Sequence, residues 1–187
     1  CNRIGIPVQG TNAEVMLSQW EYQVGPANCL DISDHLWAAR FILELLAEQH
    51  GLYVKLDPKP IVGDWNGSGA HINFSTKFMR EDSTMDDIEA ICKKMGKYSH
   101  DMLSVYGKGN EMRLTGNHET AHIGDYSWGV SDRGASIRIP LSTANKGKGY
   151  LEDRRPAANI DPYEAVGAIV KCVNNIEKEV AQPSLFV

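Results

Sequence analysis

The chain has 187 residues, 42% of them hydrophobic and 23% charged, with a formal net charge of −5. That composition suits one well-cored globular domain, and the acidic balance excludes a general nucleic-acid binder. No apolar run approaches a membrane span and no basic-then-apolar leader opens the sequence, so neither nucleic acid nor membrane is an expected partner.

Four cysteines, Cys1, Cys29, Cys92 and Cys172, lie far apart without a CxxC pair. They fit reduced thiols in a cytoplasmic protein better than a disulfide framework or a zinc knuckle. The chain starts at Cys1, and residues 1–13 offer no helix or strand long enough to start a domain. It reads as a piece of a longer protein.

Polar Gln19, Glu21 and Gln23 alternate with Trp20, Tyr22 and Val24, a strand period that Gly25-Pro26 ends. Glu14 precedes Glu21 by an odd spacing, so the two carboxylates converge only if the chain turns or bulges near Leu17-Ser18. A helix is expected from Asp34 to Gln49, capped by Ser33 or Asp34, with Leu36, Ala39, Leu43, Leu46 and Ala47 as its apolar stripe. Leu52 to Leu56 reads as a strand, and DPKP then forces an extended turn. A second helix is expected from Thr84 to Val105, with Ser83 and Asp86 as a capping box.

Met112 to Gly134 is glycine-rich and mostly loop. GASIRIP follows as a strand, with Ala135, Ile137 and Ile139 on one face and Ser136 and Arg138 on the other. Residues 142–149 read as a glycine- and lysine-rich turn, and a last helix starts at Asp161-Pro162. Without a repeating strand–helix–strand unit, the pattern predicts an α+β domain with a largely antiparallel sheet.

The stretch GDWNGSGAHINFS, Gly63 to Ser75, reads as a site or as a surface loop running into an edge strand. Its glycines let backbone approach a ligand, and His71 and Asn73 share one face of a short strand. HETAH, His118 to His122, matches a zinc-protease pattern, but Gly116 and Gly124 bracket it and no apolar stripe supports the helix that chemistry needs. Glu14, Glu21, Glu119 and Glu152 with His71 suit a hard divalent ion, and Arg113, Arg133, Arg138, Arg154 and Arg155 supply forks for carboxylate or phosphate. Read as ordinary surface charges, they would carry nothing. Read together, they suit ATP-dependent activation of a carboxylic acid.

GTNAEVM, QWEYQVGP, DPKP, GDWNGSGAH, RLTGNHET, RGASIRIP and EDRRPAAN, in this order, resemble glutamine synthetase of the eukaryotic type (class II). The resemblance runs from Gly10 to about Val173 and implies that residues 1–187 are an incomplete C-terminal catalytic domain. It lacks the family's N-terminal β-grasp domain and the first part of its catalytic domain. The implied fold is α+β, a largely antiparallel curved sheet forming a half-barrel flanked by helices.

The resemblance also implies roles. Glu14 and Glu21 would bind a first Mg²⁺ or Mn²⁺, and His71 and Glu152 a second. Asp64, Trp65, Asn66, Gly67, Arg113, Arg133 and Arg154 would surround glutamate. Glu21, Asn73, Ser75, Arg133, Arg138 and Tyr150 would bind ATP. Glu119, on a mobile flap, would act in catalysis with Arg133 and Arg154. ATP would phosphorylate glutamate to γ-glutamyl phosphate, and ammonia would displace phosphate to give glutamine.

Further implied metal ligands sit on an E-x-E strand absent from this sequence, so the chain alone would be nearly inactive. It would also assemble poorly, because the family's stacked-ring decamer needs the missing part. A non-catalytic relative, a ligase for a different amine and, remotely, a zinc protease are the alternatives.

Overall fold

A computed structural model describes residues 1–181. Helices and strands are mixed, as an α+β chain requires, and the described strands form two sheets. Strands β1 (Val8–Ala13) and β2 (Trp20–Val24) make an antiparallel ribbon. Strands β3 (Ile72–Phe74), β4 (Trp128–Val130), β5 (Ile137–Ile139) and β6 (Leu151–Asp153) make a second sheet in the order β3-β6-β5-β4. Only the β4–β5 pair is parallel. No closed barrel forms among the described residues.

The helices are α1 (Cys29–Gln49), α2 (Lys77–Glu81), α3 (Met85–Met95), α4 (Ser99–Leu103), α5 (Leu141–Lys146) and α6 (Pro162–Ala181). The core lies between the four-stranded sheet and the helices. Ile137, Ile139 and Leu151 from the sheet meet Ile88, Met95, Met102 and Ile169 from α3, α4 and α6. Helix α1 packs across α6, where buried Arg40 donates to the carbonyls of Ile160 (2.8 Å) and Ala158 (2.9 Å).

Several boundaries differ from the sequence reading. Residues 1–13 do contain a strand, β1. Helix α1 starts earlier than expected because the Asn28 side chain accepts from the Leu30 and Asp31 amides. Leu43 and Leu46 are exposed (38% and 49%), since the second half of α1 outruns its packing. Leu52 to Leu56 finds no strand partner among the described residues. The expected helix from Thr84 to Val105 breaks into α3, a 3-10 turn at Gly96–Tyr98 and α4. The Tyr126 ring lies against Gly96 so closely that a Cβ there would meet it at 2.9 Å. The capping box of α3 is Thr84 with Asp87, one residue later than expected. Residues 142–149, expected as a turn, mostly continue α5, which Gly147 ends at φ +66°.

Candidate active site

Strand alternation decides what faces the site. In the four-stranded sheet Glu152 pairs with Asn73 on one side and Arg138 on the other, so the three share one face. One residue along, Asp153 pairs with Ile72 and Ile137 on the core face. The EDRR run is thereby split: Glu152 and Arg154 point one way, Asp153 and Arg155 the other.

The Glu152 carboxylate collects cations. Arg154 Nη1 and His71 Nδ1 lie 3.1 and 3.3 Å from its Oε1, and Arg138 Nε abuts its Oε2. Burial alone would raise the Glu152 pKa, but the hydrogen bond from His71 and the charges of Arg154 and Arg138 hold it below the usual carboxylate value. The His71 imidazole is pushed down, chiefly by burial and also by Arg154 and Arg113, against the pull of Glu152. Its Nε2 lies 3.2 Å from Arg113 Nη2. A neutral ring with the proton on Nδ1 satisfies both contacts: Nδ1–H donates to Glu152, and Nε2 accepts from Arg113.

Arg113 itself is buried and donates to the carbonyls of Arg154 (2.9 Å) and Arg155 (3.1 Å). Burial, with Arg154 nearby, lowers its guanidinium to about 10. Its side chain also explains two glycines. A Cβ on Gly69 would meet Arg113 Nη2 at 2.5 Å, and one on Gly67 would meet Pro58 O at 2.4 Å and Arg113 Cγ at 2.8 Å.

The β1–β2 ribbon brings Glu14 and Glu21 together through the turn the odd spacing required, with Ser18 at φ 63°. Asn12 donates to Glu14 (3.1 Å) and Gln23 donates to Glu21 (2.6 Å) and Asn12 (3.0 Å), knitting the carboxylates side by side. Burial, then the neighbouring Glu21, raises the Glu14 pKa.

The HETAH segment is not a helix. His118 and Glu119 sit in the left-handed region (φ 54° and 60°), so the two histidines cannot grip one zinc as the protease motif does. His118 Nε2 instead lies 3.2 Å from exposed Asp64, Glu119 pairs with Arg133 at 3.2 Å, and Arg154 Nη2 donates to the Glu119 carbonyl at 3.3 Å. Three contacts thus tie His118 and Glu119 to Asp64, Arg133 and Arg154. Arg133 and Arg138 also line an open pocket of about 310 Å³ with Ser131, Pro140 and Leu141, a volume in the range of small-molecule sites.

The remaining expected residues make local contacts. Trp65 covers Gly63 and donates to the Ile61 carbonyl, Asn66 is half-buried, Ser75 donates to the Gly149 carbonyl, and Tyr150 is exposed. Arg155 does not join the site arginines: it is in the core, on Asp153. Alternation along EDRR was the signal that could have separated it. Among the described residues no three His, Cys, Asp or Glu side chains converge as a metal centre.

Comparisons with known proteins give the family. The sequence model of the glutamine synthetase catalytic domain matches residues 1–102, more than half of the chain. The chain belongs to the glutamine synthetase family. It is 57% identical over 171 residues to glutamine synthetase of Amanita muscaria, covering 91% of this chain and 48% of that protein. Against the chloroplastic glutamine synthetase of Zea mays it is 55% identical over 172 residues, covering 91% and 40%. The chain therefore spans about half or less of the curated relatives it matches. Among the described residues no helix is long and apolar enough to cross a membrane.

Proposed function

We propose that this chain is the C-terminal part of the catalytic domain of an ATP-dependent glutamate–ammonia ligase. The observation that carries the reading is Glu152 with His71, Arg138 and Arg154 on one sheet face, beside an arginine-lined pocket and beneath the flap bearing Glu119. Such a face holds polyphosphate and a transferring phosphoryl group while excluding the core.

In this reading the ATP γ-phosphoryl passes to the glutamate side-chain carboxylate, releasing ADP. Ammonia then attacks the γ-carbonyl, and phosphate leaves as the C–N bond forms. Arg133 and Arg138 hold the phosphates in the pocket, with Asn73, Ser75 and Tyr150 along its approach. Arg154 faces the transferring group and its carbonyl neighbour Glu119 receives a proton from ammonium. Asp64, Trp65, Asn66 and Gly67 surround glutamate. Arg113, bonded to the main chain of Arg154 and Arg155, sets the floor beneath it. The flap keeps water from the acyl phosphate.

The Glu14–Glu21 pair fits a divalent ion such as Mg²⁺ or Mn²⁺, because a cation would favour the ionised form of Glu14 that burial and the neighbouring Glu21 disfavour. When bound, the ion neutralises charge on substrate carboxylate and phosphate. At His71 and Glu152 the atoms that would bind a second ion are already engaged by arginines, so the pair does not fit one in this arrangement.

The two sheets are read as parts of one curved half-barrel completed by strands outside this chain, within a ring-forming homo-oligomer. Four free cysteines support a cytoplasmic setting. The test is glutamine formation by the purified full-length protein: it should require ATP, ammonium and Mg²⁺ or Mn²⁺, and its absence under saturating conditions contradicts the reading.

A further inference from the structure

Gln19 joins two parts of the site that nothing else named above connects. Its Nε2 donates to Ser68 Oγ at 2.9 Å and to the Gly67 carbonyl at 3.2 Å, reaching from the β1–β2 ribbon to the loop at Asn66-Gly67. An amide nitrogen carries two hydrogens, so both are engaged. That assigns the orientation of the amide: a flipped Gln19 would set oxygen against the Gly67 carbonyl.

The oxygen Oε1 is consequently turned away from the loop. It is buried and has no hydrogen-bond partner among the described residues. Gln19 directly precedes β2, its main-chain carbonyl accepts from the Glu14 amide at 2.9 Å, and Glu21 follows two residues later on the strand. The ribbon is a two-stranded element with Asn12, Ala13, Trp20 and Glu21 exposed, so its own packing fixes its position weakly.

We infer that Gln19 is a positioning residue: its amide registers the carboxylate pair Glu14–Glu21 against the loop proposed to hold glutamate. The inference rests on the function proposed above. It predicts that loosening this tie affects divalent-ion and glutamate binding together and leaves the pocket of Arg133 and Arg138 untouched.

The test uses the full-length protein and its Gln19→Met, Gln19→Glu and Ser68→Ala variants. Calorimetry measures Mn²⁺ without substrate and, separately, ADP; steady-state kinetics give the KM for glutamate. Gln19→Met and Gln19→Glu should weaken Mn²⁺ binding and raise the glutamate KM about tenfold, against less than a twofold change for ADP. Ser68→Ala, which removes one acceptor and leaves the ribbon intact, should shift both in the same direction by a smaller factor.

Unchanged Mn²⁺ affinity in all three variants overturns the inference. So does equal weakening of ADP with a lowered Tm, which marks general unfolding. If the wild-type protein forms no glutamine, the proposed function fails, while the Mn²⁺ and ADP titrations still decide the role of Gln19.

Discussion

Arg155 closes a two-pronged ion pair on Asp153, with Nε 2.9 Å from Oδ1 and Nη2 2.6 Å from Oδ2. Both side chains are buried, and the guanidinium also stacks at 5.2 and 5.4 Å on the rings of Tyr106 and Tyr126. Tyr106 donates to Asp153 at 2.7 Å and Arg155 donates to Ser99 at 2.8 Å. This satisfied network fixes the core side of β6. By alternation it therefore fixes where Glu152 and Arg154 point.

Removing one partner leaves an uncompensated buried charge. Asp153→Asn should cost about 3–5 kcal/mol of stability. Tyr106→Phe, which deletes one hydrogen bond, should cost about 1–3 kcal/mol. Urea unfolding measures both, and a change below 0.5 kcal/mol, within the scatter of ordinary surface substitutions, would contradict this role.

The contact between Gly67 and Pro58 is with backbone, which cannot swing aside as a side chain could. Gly67→Ala should raise the glutamate KM at least tenfold and lower Tm by several degrees, while Ser68→Ala should leave Tm unchanged. Equal Tm values for the two variants would show that the loop has room the geometry denies.

Acid should destabilise the metal-free protein in two stages. His71 is neutral in the fold with a lowered pKa, so as pH falls below about 6.5 the unfolded chain takes up the proton first and stability declines. Glu152 has a lowered pKa, so its contribution is complete above the ordinary carboxylate value and is lost as pH falls through the folded value. Urea midpoints at pH 7.5 and 5.5 should differ more for wild type than for His71→Asn. An identical difference removes His71 as the cause.

Residues 115–122 are held at their outer edge by half-buried His118 and fully exposed Asp64, a contact that solvent screens. A contact this weak would suit the opening that the proposed function asks of this segment. Asp64→Ala should leave global stability within about 0.5 kcal/mol and accelerate amide exchange across residues 115–122 severalfold. Unchanged exchange would mean that Arg133 and Arg154 hold the flap without it.

Much of this site was legible in the sequence, for identifiable reasons. The odd spacing of Glu14 and Glu21 demanded a turn, and Ser18 supplies it. Glycines around HETAH argued against a helix, and His118 and Glu119 occupy left-handed backbone. His71 and Asn73 were placed on one strand face, and register with β6 adds Glu152 to it. What stayed hidden depends on contacts distant in sequence. The Tyr126 ring packs on Gly96 where the long helix breaks, and Leu43 and Leu46 are exposed although periodicity put them on an apolar stripe. Periodicity showed a polar face on β2, yet only the fold shows Gln19 reaching Ser68.

In the proposed reaction the β6 face carries phosphoryl transfer to a carboxylate. The most direct measurement is glutamate-dependent release of ADP from ATP by the full-length protein, with hydroxylamine trapping the acyl phosphate, in wild type and Glu152→Gln. Wild type should form γ-glutamyl hydroxamate together with ADP in equal amounts, and Glu152→Gln should lose at least a hundredfold in rate while remaining folded. Hydroxamate formation that is unchanged in the folded Glu152→Gln protein would contradict the claim.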